Sequence, residues 1–320
     1  MKKTNGKILI FVIIILSLTA FGCLSELEST QKDTTSYTGI DYANVGFTTD
    51  GKSMYYNKAK GSENNIFLRE IAGTLETALT YDSNENLCVR GAVYNNLILF
   101  SSNKEGAFRV YKMALDGTVP IDILRNSNYD FQDAAFSKDG TFVVFSAIDR
   151  ADANYSQICM ADLEGQNFTI LTSTDSLKRK PTVSSDNKIV MFQKKVNNYW
   201  GLYYIDISKG DKIENEFLVE SNIDSYDPEF LTSSAQTTEN AEELVYIRGR
   251  AGTSVRMESA YFANKTYTII KNFSTYYYFC QPAVSVDGSA LLFTQKPLSG
   301  NRFDIWKTDL YATTQTQITK

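Results

Sequence analysis

Ala135-Phe136-Ser137-Lys138-Asp139-Gly140 runs through Thr141 into Phe142-Val143-Val144-Phe145. The Asp-Gly pair supplies the positive-φ backbone that a tight hairpin turn needs. The run after it is apolar at consecutive positions, so both of its faces must be buried. One sheet alone cannot bury two faces. A ring of sheets packed face to face can.

The same phrase recurs as Val45-Gly46-Phe47-Thr48-Thr49-Asp50-Gly51 and as Ala283-Val284-Ser285-Val286-Asp287-Gly288, with weaker copies at Val183-Ser184-Ser185-Asp186-Asn187 and Ala92-Val93-Tyr94-Asn95-Asn96. Counted from the first turn residue, positions 50, 95, 139 and 186 lie 45, 44 and 47 residues apart. From 186 to 287 is 101 residues, room for two units, the fifth enlarged between Asp227-Pro228-Glu229-Phe230 and Glu243. A second phrase follows each first one: an aliphatic-aromatic pair before an acidic residue, as in Leu202-Tyr203-Tyr204-Ile205-Asp206 and Ile305-Trp306-Lys307-Thr308-Asp309. Each unit closes on a short strand such as Leu79-Thr80 or Leu171-Thr172. Four short strands per unit, with turn chemistry between them, predict a propeller blade.

These motifs resemble the TolB-type propeller repeat, which reads Pro-x-Phe-Ser-x-Asp-Gly, an apolar strand, Ile-Tyr-x-x-Asp and a short Leu-Thr strand. Blades 3 and 6 match it well; blade 2 lacks the Asp-Gly and blade 5 departs most. The resemblance implies an all-β fold, a six-bladed β-propeller of four-stranded antiparallel blades over residues 42–320, and protein partners in the cell envelope. Fold analogy alone does not carry function.

The N-terminus predicts export. Lys2, Lys3 and Lys7 precede the apolar run Ile8–Phe21, which suits a signal peptide better than a bilayer span. Ala20-Phe21-Gly22-Cys23 resembles a lipobox, which makes Cys23 the lipidated first residue of a mature lipoprotein. A plain cleaved signal and an uncleaved anchor are the alternatives. Residues 1–22 are then a signal peptide and residues 23–41 a flexible polar tether. The address is the outer membrane, or the outer face of the plasma membrane.

Composition narrows the function. The 320 residues include 32 basic and 37 acidic ones, a formal charge of −5, and no histidine. That excludes His-based nucleophilic catalysis and histidine-ligated zinc, and argues against nucleic acid as a partner. No Walker loop, dinucleotide fingerprint or EF-hand loop is present, so no cofactor and no metal is expected. Cys88 and Cys280 share a repeat position with blade 1 between them, too far apart for a disulfide; with Cys159 they read as buried thiols.

The inner strand of each blade lines the channel. The residue six before the turn recurs there as Asn44, Val89, Asp133, Lys180, Asp227 and Gln281, which the repeat places at one channel mouth. Lys180 falls between two aspartates and either neutralises both or helps to recognise a charged group. Loop aromatics, above all Tyr226, Tyr276 and Tyr277, are expected to be partly exposed and to stack on a peptide or sugar. Two functions compete. One is a non-catalytic, monomeric envelope lipoprotein whose propeller binds a protein, peptide or glycan. The other is a hydrolase or lyase acting on a polysaccharide or ester through Asp133 and Asp227 at the mouth.

Overall fold

The computed structural model describes residues 40–61, 63–124, 126, 128–231, 242–249, 255–272, 277–297, 302–310 and 314–319. Cys23, the tether as far as residue 39, and Tyr276 lie outside the described residues.

Six sheets follow one another along the chain. Blade 1 is β1 (Ile40–Phe47), β2 (Ser53–Lys60), β3 (Glu63–Glu70) and β4 (Glu76–Ala78). Blade 2 is β5 (Asn86–Leu87), β6 (Val93–Tyr94), β7 (Leu97–Ser102), β8 (Arg109–Ala114) and β9 (Ile121–Leu124). Blade 3 is β10 (Tyr129–Phe136), β11 (Phe142–Asp149), β12 (Ser156–Asp162) and β13 (Thr169–Ile170). Blade 4 is β14 (Lys178–Val183), β15 (Ile189–Val196), β16 (Tyr199–Asp206) and β17 (Asn215–Leu218). Blade 5 is β18 (Ser225–Phe230), β19 (Glu243–Arg248), β20 (Arg256–Tyr261) and β21 (Tyr267–Asn272). Blade 6 is β22 (Tyr277–Val284), β23 (Ala290–Pro297), β24 (Asp304–Asp309) and β25 (Gln315–Gln317).

Every recorded strand pair is antiparallel, and each blade uses only consecutive strands, so the ring closes without a swapped strand. Closure runs through β1 and blade 6: the Phe303 N–H donates to Asp41 Oδ1 at 2.7 Å, and Arg69 Nη1 to the Ile318 carbonyl at 3.1 Å. β1 already pairs at Ile40 and Asp41, two residues inside the expected tether, because Lys60 and Ala59 of β2 offer them partners. Among the described residues there is no α-helix, only the 3-10 turn Ile207–Lys209.

The apolar second strands do what their sequence demands. Val143, Val144 and Phe145 are all fully buried; Val144 faces one core cluster, Val143 and Phe145 the other. Each blade is thus greased on both faces, and burial of this kind contributes about 25 cal/mol per Å² of apolar surface. Blades also touch at their turns. Gly165, at φ 74°, sits so close to the Ile123 carbonyl that an added Cβ would lie 1.6 Å from its oxygen. Gly165→Ala is therefore expected to cost about 2–3 kcal/mol, from left-handed strain plus the clash. Urea denaturation checks it.

The up-and-down order of strands gives the ring two distinct ends. Turns joining the first to the second strand, and the third to the fourth, share one end, here called the turn end. Inner strands begin at the other, the entry end, where the chain arrives at Ile40.

Candidate functional site

Five inner strands carry a bulge at the same place. Pairing slips between Ala43 and Gly46, Gln132 and Ala135, Arg179 and Thr182, Tyr226 and Glu229, and Cys280 and Ala283. The residue in each bulge is left-handed: Asn44 (φ 53°), Asp133 (56°), Lys180 (56°), Asp227 (52°) and Gln281 (55°). A bulge leaves residues unpaired and re-aims their side chains. Lysine and glutamine gain little in this region of backbone space, so their presence marks a constrained site.

These five residues share one place in the repeat and one left-handed backbone conformation. They lie part-way along the inner strands and are buried, at 2–9% exposure. Asp133 and Asp227 each meet partners on other blades.

There they stitch neighbouring blades together. The Lys180 N–H of blade 4 donates to Asp133 Oδ2 of blade 3 (3.3 Å). The Asp227 N–H donates to Gln193 Oε1 of blade 4 (2.9 Å), and the Gln281 N–H to Asp227 Oδ2 of blade 5 (2.9 Å). In the first seam, Asn57 Oδ1 accepts from both Asn44 Nδ2 (2.9 Å) and the Cys88 N–H of blade 2 (3.0 Å). In blades 4, 5 and 6 the bulge frees a backbone donor, and a side-chain oxygen from the preceding blade satisfies it.

The charges pair in a way the repeat did not foretell. Lys180 does not bridge the two aspartates: its Nζ meets Asp133 Oδ1 at 3.1 Å, and Arg179 Nε meets Asp133 Oδ2 at 2.6 Å. Burial pushes the Asp133 carboxyl up, but the Arg179 and Lys180 charges outweigh it and hold it well below the usual carboxylate range. Asp227 belongs to Arg90, with Nη1 to Oδ1 at 3.6 Å.

Arg90 is the residue the repeat missed. The matching position in blade 2 is Val89, which is buried in the core. Blade 2 has no bulge of the common kind; its inner strand breaks between β5 and β6, and Gly91 takes the positive φ of 70°. Tyr55 from blade 1 braces the break, its hydroxyl donating to the Val89 carbonyl (2.9 Å) and accepting from the Ala92 N–H (3.0 Å). Arg90 is thereby sent across the axis to the opposite blade, 138 residues away, where Nε donates to the Pro228 carbonyl at 2.9 Å and lies 3.2 Å from Glu229 Oε2. Lys138 Nζ (3.8 Å) and Thr182 Oγ1 (3.3 Å) complete the surroundings of Glu229. The only hint in the sequence was the missing Asp-Gly of blade 2.

Of the loop aromatics, Tyr226 is half-buried against the blade 5 and 6 core. Tyr277 opens β22, and its side chain lies outside the described residues. Cys88 and Cys159 are buried free thiols; burial pushes Cys159 up to about 12. Among the described residues no group of three metal-ligating side chains forms, and no helix is long and apolar enough to cross a membrane.

A closed ring of six four-stranded blades, sewn along its axis by inter-blade hydrogen bonds and ion pairs, defines a six-bladed β-propeller. The chain belongs to the TolB beta propeller domain family, whose model matches residues 22–230. A comparison with curated proteins finds no match. Among solved structures it is similar to TolB from Acinetobacter baumannii, at 13% identity and a TM-score of 0.65, over 89% of this chain and 65% of that one. It therefore spans about two thirds of that TolB. An oligogalacturonate lyase in complex with manganese is similar at 13% identity and a TM-score of 0.59, over 88% of this chain and 78% of that one. So is a chain of a nidogen/laminin complex, at 13% and 0.59, over 87% and 91%. At these identities the likeness shows the fold alone.

Proposed function

We propose that this protein is a non-catalytic, exported propeller, anchored by a lipid on Cys23, that binds a protein, peptide or glycan of the cell envelope. One observation carries the reading: the axial carboxylates are already committed to arginine and lysine. A general acid and base need separate environments that pull their pKa values apart. Asp133, bound by Arg179 and Lys180, is instead held ionised, and Asp227 and Glu229 face Arg90. Asn44, Asp133, Lys180, Asp227 and Gln281 then form a rigid floor, and the partner meets the entry end above it, where Tyr226 and Tyr277 begin their strands. The TolB and nidogen/laminin likenesses favour a protein partner; the lyase likeness is the source of the enzyme reading.

Intact mass of the membrane fraction tests the anchor. A chain starting at acylated Cys23 is expected; an unmodified N-terminus, or retention of Met1, overturns it. Crosslinked complexes recovered from intact cells, compared between wild type and Tyr226→Ala, test the partner site. One species lost in the variant supports binding. Unsaturated products from oligogalacturonate, made by the purified chain, would establish the enzyme instead.

A further inference from the structure

The seam between blades 1 and 2 differs from the others at the turn end. The first-to-second-strand turns of blades 1, 3, 4 and 6 have five residues each: 48–52, 137–141, 184–188 and 285–289. Blade 2 has only Asn95 and Asn96 between β6 and β7. Where its turn is three residues shorter lies a cleft of about 590 Å³. Leu68 and Leu115 supply its apolar lining, Asp50 and Asp116 its charge, and Asn95 and Asn96 its edge. The volume is that of a ligand pocket, and its lining is mostly polar, with Leu68 and Leu115 as the apolar part.

The two carboxylates are only partly used. Asp50 Oδ1 accepts from Thr48 Oγ1 (2.7 Å) and from the Lys52 N–H (3.1 Å), and Asp116 Oδ1 accepts from the Thr118 N–H (3.0 Å). No hydrogen bond or ion pair among the described residues engages either Oδ2. The Thr48 hydroxyl and the Lys52 N–H hold the Asp50 carboxyl below its usual range, so it stays ionised. Two carboxylates beside two leucines suit a cation on an apolar stem and repel an anion. Leu75 and Val119, 83% and 86% exposed, stand in the third-to-fourth-strand turns of the same two blades and offer apolar contact at the same end.

We propose that this cleft is a subsite for a lysine or arginine side chain of a partner polypeptide, its charge paired with Asp50 and Asp116 and its stem on Leu68 and Leu115. The site lies at the opposite end from Tyr226, so it stands or falls separately from the binding reading above. The probe is fluorescein-labelled Leu-Lys-Leu-amide, followed by anisotropy with the full chain in detergent. Its binding is expected to weaken at least tenfold when norleucine replaces the lysine, and at least tenfold in Asp50→Asn/Asp116→Asn. Asn96→Trp, which fills the cleft and leaves both charges, is expected to abolish it and decides the matter if the double variant is unstable. Equal binding of the norleucine peptide, or of the lysine peptide to a folded Asn96→Trp chain, overturns the site. Displacement by butylammonium but not by butyrate supports the cation chemistry. Butylammonium bound without any peptide binding would overturn a polypeptide as the source of the cation.

Discussion

Asp133→Ala is expected to destabilise the protein by about 3–5 kcal/mol, the usual loss when one partner of a buried ion pair is removed. Three groups lose their acceptor together: the Arg179 guanidinium, the Lys180 ammonium and the Lys180 N–H in its bulge. Ser146 Oγ, 3.2 Å from Asp133 Oδ2, loses one too. Asp133→Asn keeps an oxygen for the N–H but not the charge, and should fall between wild type and alanine. The acid dependence has a definite sign. The folded carboxyl titrates below its ordinary 3.8, so its stabilisation is full above that pH and fades as pH falls beneath it. The gap between wild type and Asp133→Ala should accordingly narrow below about pH 4. Urea titrations at several pH values measure this. A folded Asp133→Ala chain of unchanged stability that has lost its partner would make Asp133 a recognition residue rather than a seam residue.

Arg90→Met is expected to cost about 3 kcal/mol, because it leaves Asp227 and Glu229 buried without the cation that crosses to them. Methionine keeps the apolar stem and removes only the charged fork. The loss is moderated within the native state, since Arg90 Nη1 and Nη2 are buried without a hydrogen-bond acceptor among the described residues. A double-mutant cycle with Glu229→Gln isolates the pair: a coupling of about 1–3 kcal/mol is expected, with part of the Arg90→Met loss recovered in the double variant. Zero coupling, or a raised melting temperature in Arg90→Met, would mean that the cross-axis contact contributes nothing.

The blade count was legible because its signals are local. Asp139-Gly140 and Asp287-Gly288 announce hairpins within a few residues, and the following runs can only be strands buried on both faces. Even the enlarged fifth unit was readable, since Asp227-Pro228-Glu229-Phe230 and the strand after Glu243 kept the pattern on either side of the insertion; β18 and β19 pair across it. The site was half legible. Repeat position identified Asn44, Asp133, Lys180, Asp227 and Gln281 as one constellation, and the structure places all five in equivalent bulges.

The sequence by itself determined the repeat, the six antiparallel blades and the residues that share a level in the ring, because turn propensity and apolar periodicity act over a handful of neighbours. Tertiary structure alone decided who meets whom. Lys180 chooses Asp133 over Asp227, Asn57 and Gln193 on second strands serve the neighbouring seams, and Arg90 reaches Pro228 across 138 residues. In blade 2 the positive φ falls at Gly91, two residues beyond the repeat position, with Val89 in the core and Arg90 reaching blade 5. Such outcomes depend on strand register and on the distance between blades, which no local stretch encodes.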